Sequence, residues 1–210
     1  MKKWLFMGLA VLSAAATANG KPGKFDGYVL TLSWSPTYCE EKPRDREQCG
    51  KKLGLVLHGL WPQYKTGYPS FCTNEPYSSD NGQAFPDLFP AKFLYEHQWE
   101  KHGTCSGLTQ TGYFQFSQSL KGKVSVPAAY QRPKKPFRTT TEDLQQAFAD
   151  ANPWLKPDAI APFCSDSGRF FREMFICLDK AGASAACGNE IVNNAAKSCG
   201  QADFLIRNIK

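Results

Sequence analysis

Histidine is scarce in this sequence, and its few copies are unevenly placed. The chain has 210 residues and only three histidines. His97 and His102 lie in the segment HQWEKHGTC (97–105), and His58 lies in LVLHGLWPQY (55–64). A single histidine is most often a structural or surface residue. Two short segments that hold all three, each with its own tryptophan, instead indicate a shared chemical role.

Long hydrophobic runs are absent except near the N-terminus. Two lysines precede an apolar stretch at 4–12, and Ala-Thr-Ala at 16–18 has the small-residue pattern of a signal peptidase site. The stretch is too short to span a bilayer as a helix, and no stop-transfer segment follows it. We therefore expect a signal peptide over 1–18, one folded domain over 19–210, no membrane anchor, and a periplasmic or secreted protein.

The sequence also lacks any C-x-x-C pair, which argues against a zinc site built from close cysteines. We expect neither a metal nor another cofactor. An even number of cysteines behind a secretory leader is typical of a closed set of disulfides in an oxidising compartment. The eight cysteines are Cys39, Cys49, Cys72, Cys105, Cys164, Cys177, Cys187 and Cys199.

Internal repeats and low-complexity tracts are missing too, and about 190 mature residues is the size of one domain. Apolar and β-branched runs predict strands, and segments with helical periodicity predict helices, so the mixture favours an α+β fold. The predicted strands are 28–34, 53–61, 170–178 and 204–209, the first two closed by Pro36 and Pro62. The predicted helices are 93–102, 113–120 and 141–151, the last preceded by a Thr139-x-x-Glu142 capping pattern.

Positive charge exceeds negative charge only modestly. The formal net charge of +6 falls to +4 when Lys2 and Lys3 leave with the signal peptide. Such an excess suits a polyanionic partner without identifying one. The one basic cluster, YQRPKKPFR (130–138), is either a solvated loop or a contact for phosphates.

Drawn as an α-helix, the segment HQWEKHGTC gathers four polar side chains on one side. At about 100° per residue, Lys101 lies about 40° from His97. Gln98 lies about 100° and His102 about 140° from His97 on the same scale. Trp99 points to the opposite side. Two imidazoles, an ammonium and an amide are therefore expected to share a face.

Three chemistries could use such a face, and the spacing separates them. Zinc hydrolases place ligands four apart in H-E-x-x-H, whereas His97 and His102 are five apart beside a lysine that would repel a cation. A cysteine nucleophile would require Cys105 as a free thiolate, which the even cysteine count disfavours. Phosphoryl transfer without a metal remains, because it needs an imidazole base, an imidazole acid and a fixed cation.

The segments LHGLWP (57–62) and HQWEKHGTC together resemble the two active-site segments of the ribonuclease T2 family. The resemblance extends to YVLTLSWSPTYC (28–39) and to the cysteine spacing. Residues 109–162 match the family only loosely. The leader and the length are most similar to the bacterial periplasmic members. The resemblance implies a disulfide-stabilised single α+β domain with a central antiparallel sheet flanked by helices.

The resemblance further implies an endoribonuclease that cleaves single-stranded RNA through a 2′,3′-cyclic phosphate, with the RNA's own 2′-hydroxyl as nucleophile. DNA lacks this hydroxyl and should not be cleaved. By the same resemblance, His102 is the general base and His58 is the general acid. Lys101 stabilises charge on the non-bridging oxygens, and His97 binds the phosphate.

Trp61 matches the base-stacking position of the family, although tryptophans also commonly pack in cores. Tyr64 and Tyr68 are candidate neighbours of the base. Gln63 stands where many relatives carry an aspartate, and its amide can both donate and accept a hydrogen bond. Ser33 occupies a position that is often glutamine at the second base site. Both departures indicate low base specificity.

Gln98 stands where most relatives carry a glutamate. An amide can still donate to a phosphoryl oxygen, but it supplies no negative charge to favour imidazolium at His97 or His102. The order of the family's cysteines implies the disulfides Cys39–Cys49, Cys72–Cys105, Cys164–Cys199 and Cys177–Cys187.

The alternative from another class is a secreted, disulfide-rich protein that binds RNA without cleaving it. Intact His58, Lys101 and His102 argue against such a loss of catalysis. We expect a monomer whose partner is its RNA substrate.

Overall fold

The computed structural model describes residues 20–165 and 167–209, so the expected signal peptide and its cleavage site lie outside the described residues. The strands are β1 (Gly27–Trp34), β2 (Leu55–Gln63), β3 (Phe137–Thr139), β4 (Ile160–Ser165), β5 (Phe170–Leu178) and β6 (Phe204–Ile206). The helices are α1 (Ser35–Glu41), α2 (Ser79–Gln83), α3 (Phe93–Gln98), α4 (Thr104–Ser106), α5 (Gln110–Lys123), α6 (Ala128–Gln131), α7 (Thr141–Ala151) and α8 (Asn189–Ser198). A π-helical turn, Trp99–Gly103, joins α3 to α4, and a 3₁₀ turn, Pro157–Ala159, precedes β4.

The strands form one sheet in the order β2-β1-β5-β6-β3, with β4 also paired to β5. Neighbouring strands are antiparallel except at Phe170 and Leu205, where β5 and β6 meet in parallel. Helix α5 packs against β1 and β2, while α7 and α8 pack against β4. The predicted α+β domain with a central antiparallel sheet flanked by helices is confirmed.

The main core lies against one face of β1 and β2. Leu30, Leu57 and Leu60 are fully buried there, and Phe114 and Tyr113 of α5 cover them. The Tyr113 hydroxyl donates to the Leu60 carbonyl at 2.8 Å, which satisfies the polar end of a buried ring. Since this face is filled, the opposite face of the same strands is left to form a site.

β2 and β6 end at other residues than predicted. β2 continues through Pro62 to Gln63, because β2 is an edge strand whose outer side needs no backbone donor. Pro36 lies in the first turn of α1, which begins at Ser35 directly after β1. β6 ends at Ile206, since the following Arg207 carbonyl accepts from the Trp34 indole and leaves the sheet.

The predicted helices are present at the predicted positions, but some of their ends and one N-cap differ. The predicted 113–120 lies within α5, and 141–151 matches α7. The N-cap of α7 is Thr140, whose side chain accepts from the Asp143 amide, and not Thr139. Thr139 is the last residue of β3, so it already has strand geometry. None of the helices in the described part of the chain has the length and apolar composition that a membrane span requires.

Candidate active site

The face of the sheet opposite the core carries the candidate active site. Alternate residues of β1 separate the two faces: Leu30 and Leu32 belong to the core, whereas Val29 and Ser33 line cavities on the other face. The strand register continues this face across the sheet. Trp61 of β2 pairs with Val29, and Glu173 of β5 pairs with Ser33.

His58 reaches this face because β2 contains a bulge. Thr31 pairs with Gly59, but Leu32 pairs with Leu57, so His58 is the extra residue between them. Strict alternation from the buried Leu60 would turn His58 toward the core. The bulge lets Leu57 enter the core and directs His58 to the opposite face, as bulges beside active sites commonly do.

A π-helical turn directs His102 toward the same site. Residues 93–102 are helical as predicted, but α3 ends at Gln98 and the chain continues as a π turn, in which the amide of Thr104 donates to the carbonyl of Trp99, five residues back. Such an i→i+5 turn is wider than an α-helical turn and brings residues five apart toward one side. The ring centroids of His97 and His102 consequently lie 6.4 Å apart.

All three imidazoles line one cavity of about 620 Å³. Trp61 lies between two of them, with ring centroids 5.0 Å from His58 and 5.1 Å from His102. Lys101 lines the same cavity. The two sequence segments that share the histidines therefore form a single site.

His102 is the more enclosed of the two imidazoles beside Trp61. Its residue is only 4% exposed, and its ring stacks on Trp61 at an interplanar angle of 21°. Burial lowers the pKa of His102 well below its ordinary value, and neighbouring positive charges, Lys101 first, lower it further. The lowered pKa favours the neutral ring, which can accept a proton.

His58 has a carboxylate partner that sequence reasoning did not identify. Its Nδ1 lies 3.3 Å from Oε2 of Glu173, which leaves Nε2 as the nitrogen for a substrate. Burial acts to raise the pKa of Glu173, but the hydrogen bond with His58 and the charge of Arg172 outweigh it and lower that pKa. The available clue was a single acid in the apolar strand FFREMFICL, but only the β1–β5 register shows what it faces.

His97 and Lys101 both line the cavity, where Lys101 supplies a positive charge and His97 supplies a ring nitrogen. Burial lowers the pKa of His97, and the charges of Lys101 and His58 add to this effect. The Lys101 ammonium lies 5.9 Å from the centre of the Tyr68 ring. These two side chains are arranged to receive an anion.

Gln98 does not face the cavity as the helical projection predicted. Its side chain is fully buried, and its Oε1 accepts the Trp61 indole N–H at 2.8 Å. Gly59 makes room for this contact, since a Cβ there would overlap both the Gln98 amide and the indole nitrogen. The predicted donation from Gln98 to a phosphoryl oxygen is wrong for this geometry, because the wide π turn and Trp61 enclose the amide. Gln98 instead positions Trp61.

The four other substrate-binding candidates divide between two cavities. Gln63, Tyr64 and Tyr68 line the large cavity with Trp61, and Tyr68 is 47% exposed at its rim. Ser33 lines a smaller cavity of about 160 Å³. His58 and His97 line both cavities, whereas His102 lines the large one.

Disulfides hold the two halves of the site together. The structure contains the pairs Cys39–Cys49, Cys72–Cys105, Cys164–Cys199 and Cys177–Cys187, the same pairs that the resemblance implies. Beside the second pair, the Phe71 amide donates to the Lys101 carbonyl and the Cys72 amide donates to the Thr104 hydroxyl. The segment after β2 is thereby fixed to the π turn that carries His102.

No group of three or more His, Cys, Asp or Glu side chains within residues 20–165 and 167–209 is arranged to hold a metal ion. The three histidines instead have Trp61, Lys101 and Glu173 as neighbours. A base, an acid partnered by a carboxylate, and a fixed cation are the groups that acid–base phosphoryl transfer requires.

Known ribonucleases are similar to this chain in sequence and in fold. A ribonuclease of Aeromonas hydrophila is 44% identical over 207 residues, which cover 94% of this chain and 93% of that protein. Ribonuclease 1 of Arabidopsis thaliana is 26% identical, over 87% of this chain and 92% of that protein.

Two solved structures have the same fold. Trichomaglin, described as a novel S-like ribonuclease, superposes with a TM-score of 0.65 at 22% identity, over 78% of this chain and 92% of that one. RNase NT in complex with 5′-AMP superposes with a TM-score of 0.60 at 23% identity, over 79% of this chain and 91% of that one. The sequence profile of the Ribonuclease T2 family matches residues 25–187. This match and the Aeromonas relative show that the chain belongs to the ribonuclease T2 family.

Proposed function

We propose that this endoribonuclease cleaves single-stranded RNA by metal-independent transphosphorylation through a 2′,3′-cyclic phosphate, with low base specificity. One observation carries the proposal. Two imidazoles flank Trp61 in one cavity, one buried among cations and the other bonded to a carboxylate. Such contrasting surroundings suit a base and an acid.

In the proposed reaction, His102 takes the proton of the 2′-hydroxyl, and that oxygen attacks the adjacent phosphorus. The bond from phosphorus to the 5′-oxygen breaks, and His58 protonates this oxygen as it leaves. Lys101 stabilises the charge on the non-bridging oxygens, and His97 binds the phosphate. Each preorganised contact of this kind is typically worth about 2.7 to 4 kcal/mol in the transition state.

The two cavities indicate the direction in which the RNA strand binds. The general base must reach the 2′-hydroxyl, and His102 lines the large cavity, so the nucleotide that carries this hydroxyl binds there. The leaving nucleotide must be within reach of His58 but not of His102. The smaller cavity, lined by His58, His97 and Ser33, meets this requirement.

Low base specificity follows from the groups that line these cavities. One face of Trp61 is covered by His102, so a base stacks between the remaining surface of Trp61 and the exposed Tyr68. Tyr64 completes the wall, and stacking of this kind tolerates any base. Gln63 and Ser33 each donate and accept hydrogen bonds, so neither selects one pattern of base edges.

Four disulfides support an oxidising compartment for this protein, since such bonds form and persist there. Together with the expected signal peptide, they favour the periplasm or the exterior of the cell, where the enzyme acts as a monomer. DNA is not a substrate of this mechanism, because it lacks the attacking hydroxyl.

Incubation of a ribodinucleotide with the purified protein in excess EDTA tests the proposal. We expect cleavage to a nucleoside 2′,3′-cyclic phosphate and a 5′-hydroxyl product, and no cleavage of the matched deoxydinucleotide. Loss of activity in EDTA, or a product with a 5′-phosphate, would refute the mechanism. Retardation of RNA in a gel without cleavage would identify an RNA-binding protein instead.

A further inference from the structure

A third cavity, of about 390 Å³, has no part in the mechanism above. It is lined by α1, by the loop before β2 and by the C-terminal tail, including Lys52 and Arg207. We propose that this cavity and its rim bind the RNA backbone on the 3′ side of the cleaved bond. This inference rests on the proposed function, because it extends the path of the same substrate.

The third cavity adjoins the smaller active-site cavity. The buried Gln48 lines both of them, and its amide donates to the Ser35 hydroxyl at 2.9 Å. Ser35 lines the third cavity, while Ser33, two residues earlier, lines the smaller one. Gln48 is therefore a wall shared by the two cavities.

The direction follows from the assignment of the leaving nucleotide. The smaller cavity is reached by His58 and not by His102, so it receives the nucleotide on the 3′ side of the scissile bond. The next phosphates of the strand then pass Gln48 toward the third cavity. Nucleotides on the 5′ side leave through the large cavity and do not meet this surface.

The rim of the third cavity carries the basic cluster noted in the sequence. Pro136 lines the cavity, and the exposed Lys134 and Lys135 immediately precede it. The Ile209 amide donates to the Pro133 carbonyl, which fixes this loop beside the C-terminal tail. Of the two interpretations of the cluster, the structure favours a phosphate contact at these lysines.

The cations differ in how far they are neutralised. Arg138 of the cluster is paired with Asp203. Arg207 lies 4.0 Å from Glu40, and its guanidinium lies 3.6 Å from the centre of the Phe170 ring. Lys52, Lys134 and Lys135 are exposed and provide most of the attraction for phosphates. A backbone contact of this kind is independent of base sequence and sensitive to salt.

Chimeric oligonucleotides with a single ribonucleotide test the inference, because each has one cleavable bond. The minimal substrate has one deoxynucleotide after the ribonucleotide. A second substrate has four further deoxynucleotides on the 3′ side, and a third has the same four on the 5′ side. The combined variant Lys52→Gln, Lys134→Gln and Lys135→Gln is compared with a control, Lys123→Gln, Lys156→Gln and Lys197→Gln, which removes three exposed charges outside all three cavities.

For the unaltered enzyme at low salt, we expect the 3′ extension to raise kcat/KM about tenfold, as contacts to a charged group can. The combined variant should lose this gain while cleaving the minimal substrate normally, and the control should keep it. The slope of log kcat/KM against log salt should become shallower by about 0.7 for each phosphate that the variant no longer binds.

Three results would overturn the inference: no gain from the 3′ extension, an equal gain from the 5′ extension, or a gain that survives in the combined variant. Failure of the unaltered enzyme to cleave even the minimal substrate would instead refute the proposed function. The two failures are therefore distinguishable in one experiment.

Discussion

The active site has a strand side, β2, and a helical side, the π turn, and each carries a histidine in different surroundings. His58 on β2 is half-buried and bonds to Glu173. His102 in the π turn is 4% exposed, stacks on Trp61 and has Lys101 as its neighbour. In the proposed mechanism, chemically identical groups are given different tasks by what packs around them.

Each side also departs from regular secondary structure at its histidine. A bulge in β2 frees His58 from the alternation of the strand, and an i→i+5 turn brings His102 round to His97. Both devices interrupt a regular hydrogen-bond pattern in order to direct a side chain. Variants that alter one side at a time therefore test the comparison.

Removal of either imidazole should have the largest effect. His58→Ala and His102→Ala should each lower kcat at least about a hundredfold, as loss of acid–base catalysis does. The double variant should be scarcely worse than the worse single variant, because the two groups act as a unit. Steady-state kinetics on a ribodinucleotide measures this, and near-normal turnover in either single variant would contradict the assignment.

Lys101→Gln should have the next largest effect. It should lower kcat about a hundredfold, because it removes a cation beside the transition state. The charge of Lys101 lowers the pKa of His102 and of His97. Its removal should raise both pKa values, so the acidic limb of kcat/KM should move to higher pH. With only three histidines in the chain, NMR titration can follow each ring. An unmoved His102 titration would contradict the predicted coupling, and Lys156→Gln serves as a control.

Glu173→Gln should lower kcat about tenfold, the value of one charged hydrogen bond. The Glu173 carboxylate accepts from Nδ1 of His58 and so directs Nε2 toward the substrate. On a substrate whose leaving 5′-oxygen is replaced by sulfur, which needs no acid, Glu173→Gln should match the unaltered enzyme, because Glu173 acts only through His58. An equal loss of rate on both substrates would reduce Glu173 to a packing role.

Gln98→Leu should have the smallest effect, about fivefold in kcat/KM, because the Trp61 indole loses a hydrogen bond worth about 1 kcal/mol. Gln98→Glu keeps an acceptor for the indole but adds a buried charge near His102, so it should move the acidic limb to higher pH. Kinetics on the two variants separates positioning from charge. Equal pH profiles in all three proteins would show that Gln98 does not couple to the base.

Local sequence patterns predicted the parts of the fold that depend on local periodicity. The apolar runs located β1, β2 and β5, and α7 ends where the sequence predicts. β3 and β4 were not predicted, because three residues in one case and a short run interrupted by Pro162 in the other carry too little periodicity. The sequence pattern predicts a strand end at Pro62, because nothing local shows that β2 lies at an edge of the sheet.

The residues that line the candidate site were predictable from the sequence, but their geometry was not. The two motif segments identified His58, His97, Lys101 and His102, all of which line one cavity. The helical projection assumed α-helical geometry throughout, so it placed Gln98 in the cavity. Glu173 is 115 residues from His58 in sequence, and only the strand register brings the two side chains together.

In the proposed mechanism, their surroundings make His102 the base and His58 the acid. The direct measurement compares His58→Ala and His102→Ala on a dinucleotide whose leaving 5′-oxygen is replaced by sulfur, a leaving group that needs no acid. We predict that this substrate restores His58→Ala to nearly the activity of the unaltered enzyme and leaves His102→Ala at least about a hundredfold slower. Equal restoration of both variants, or restoration of His102→Ala alone, would contradict the account.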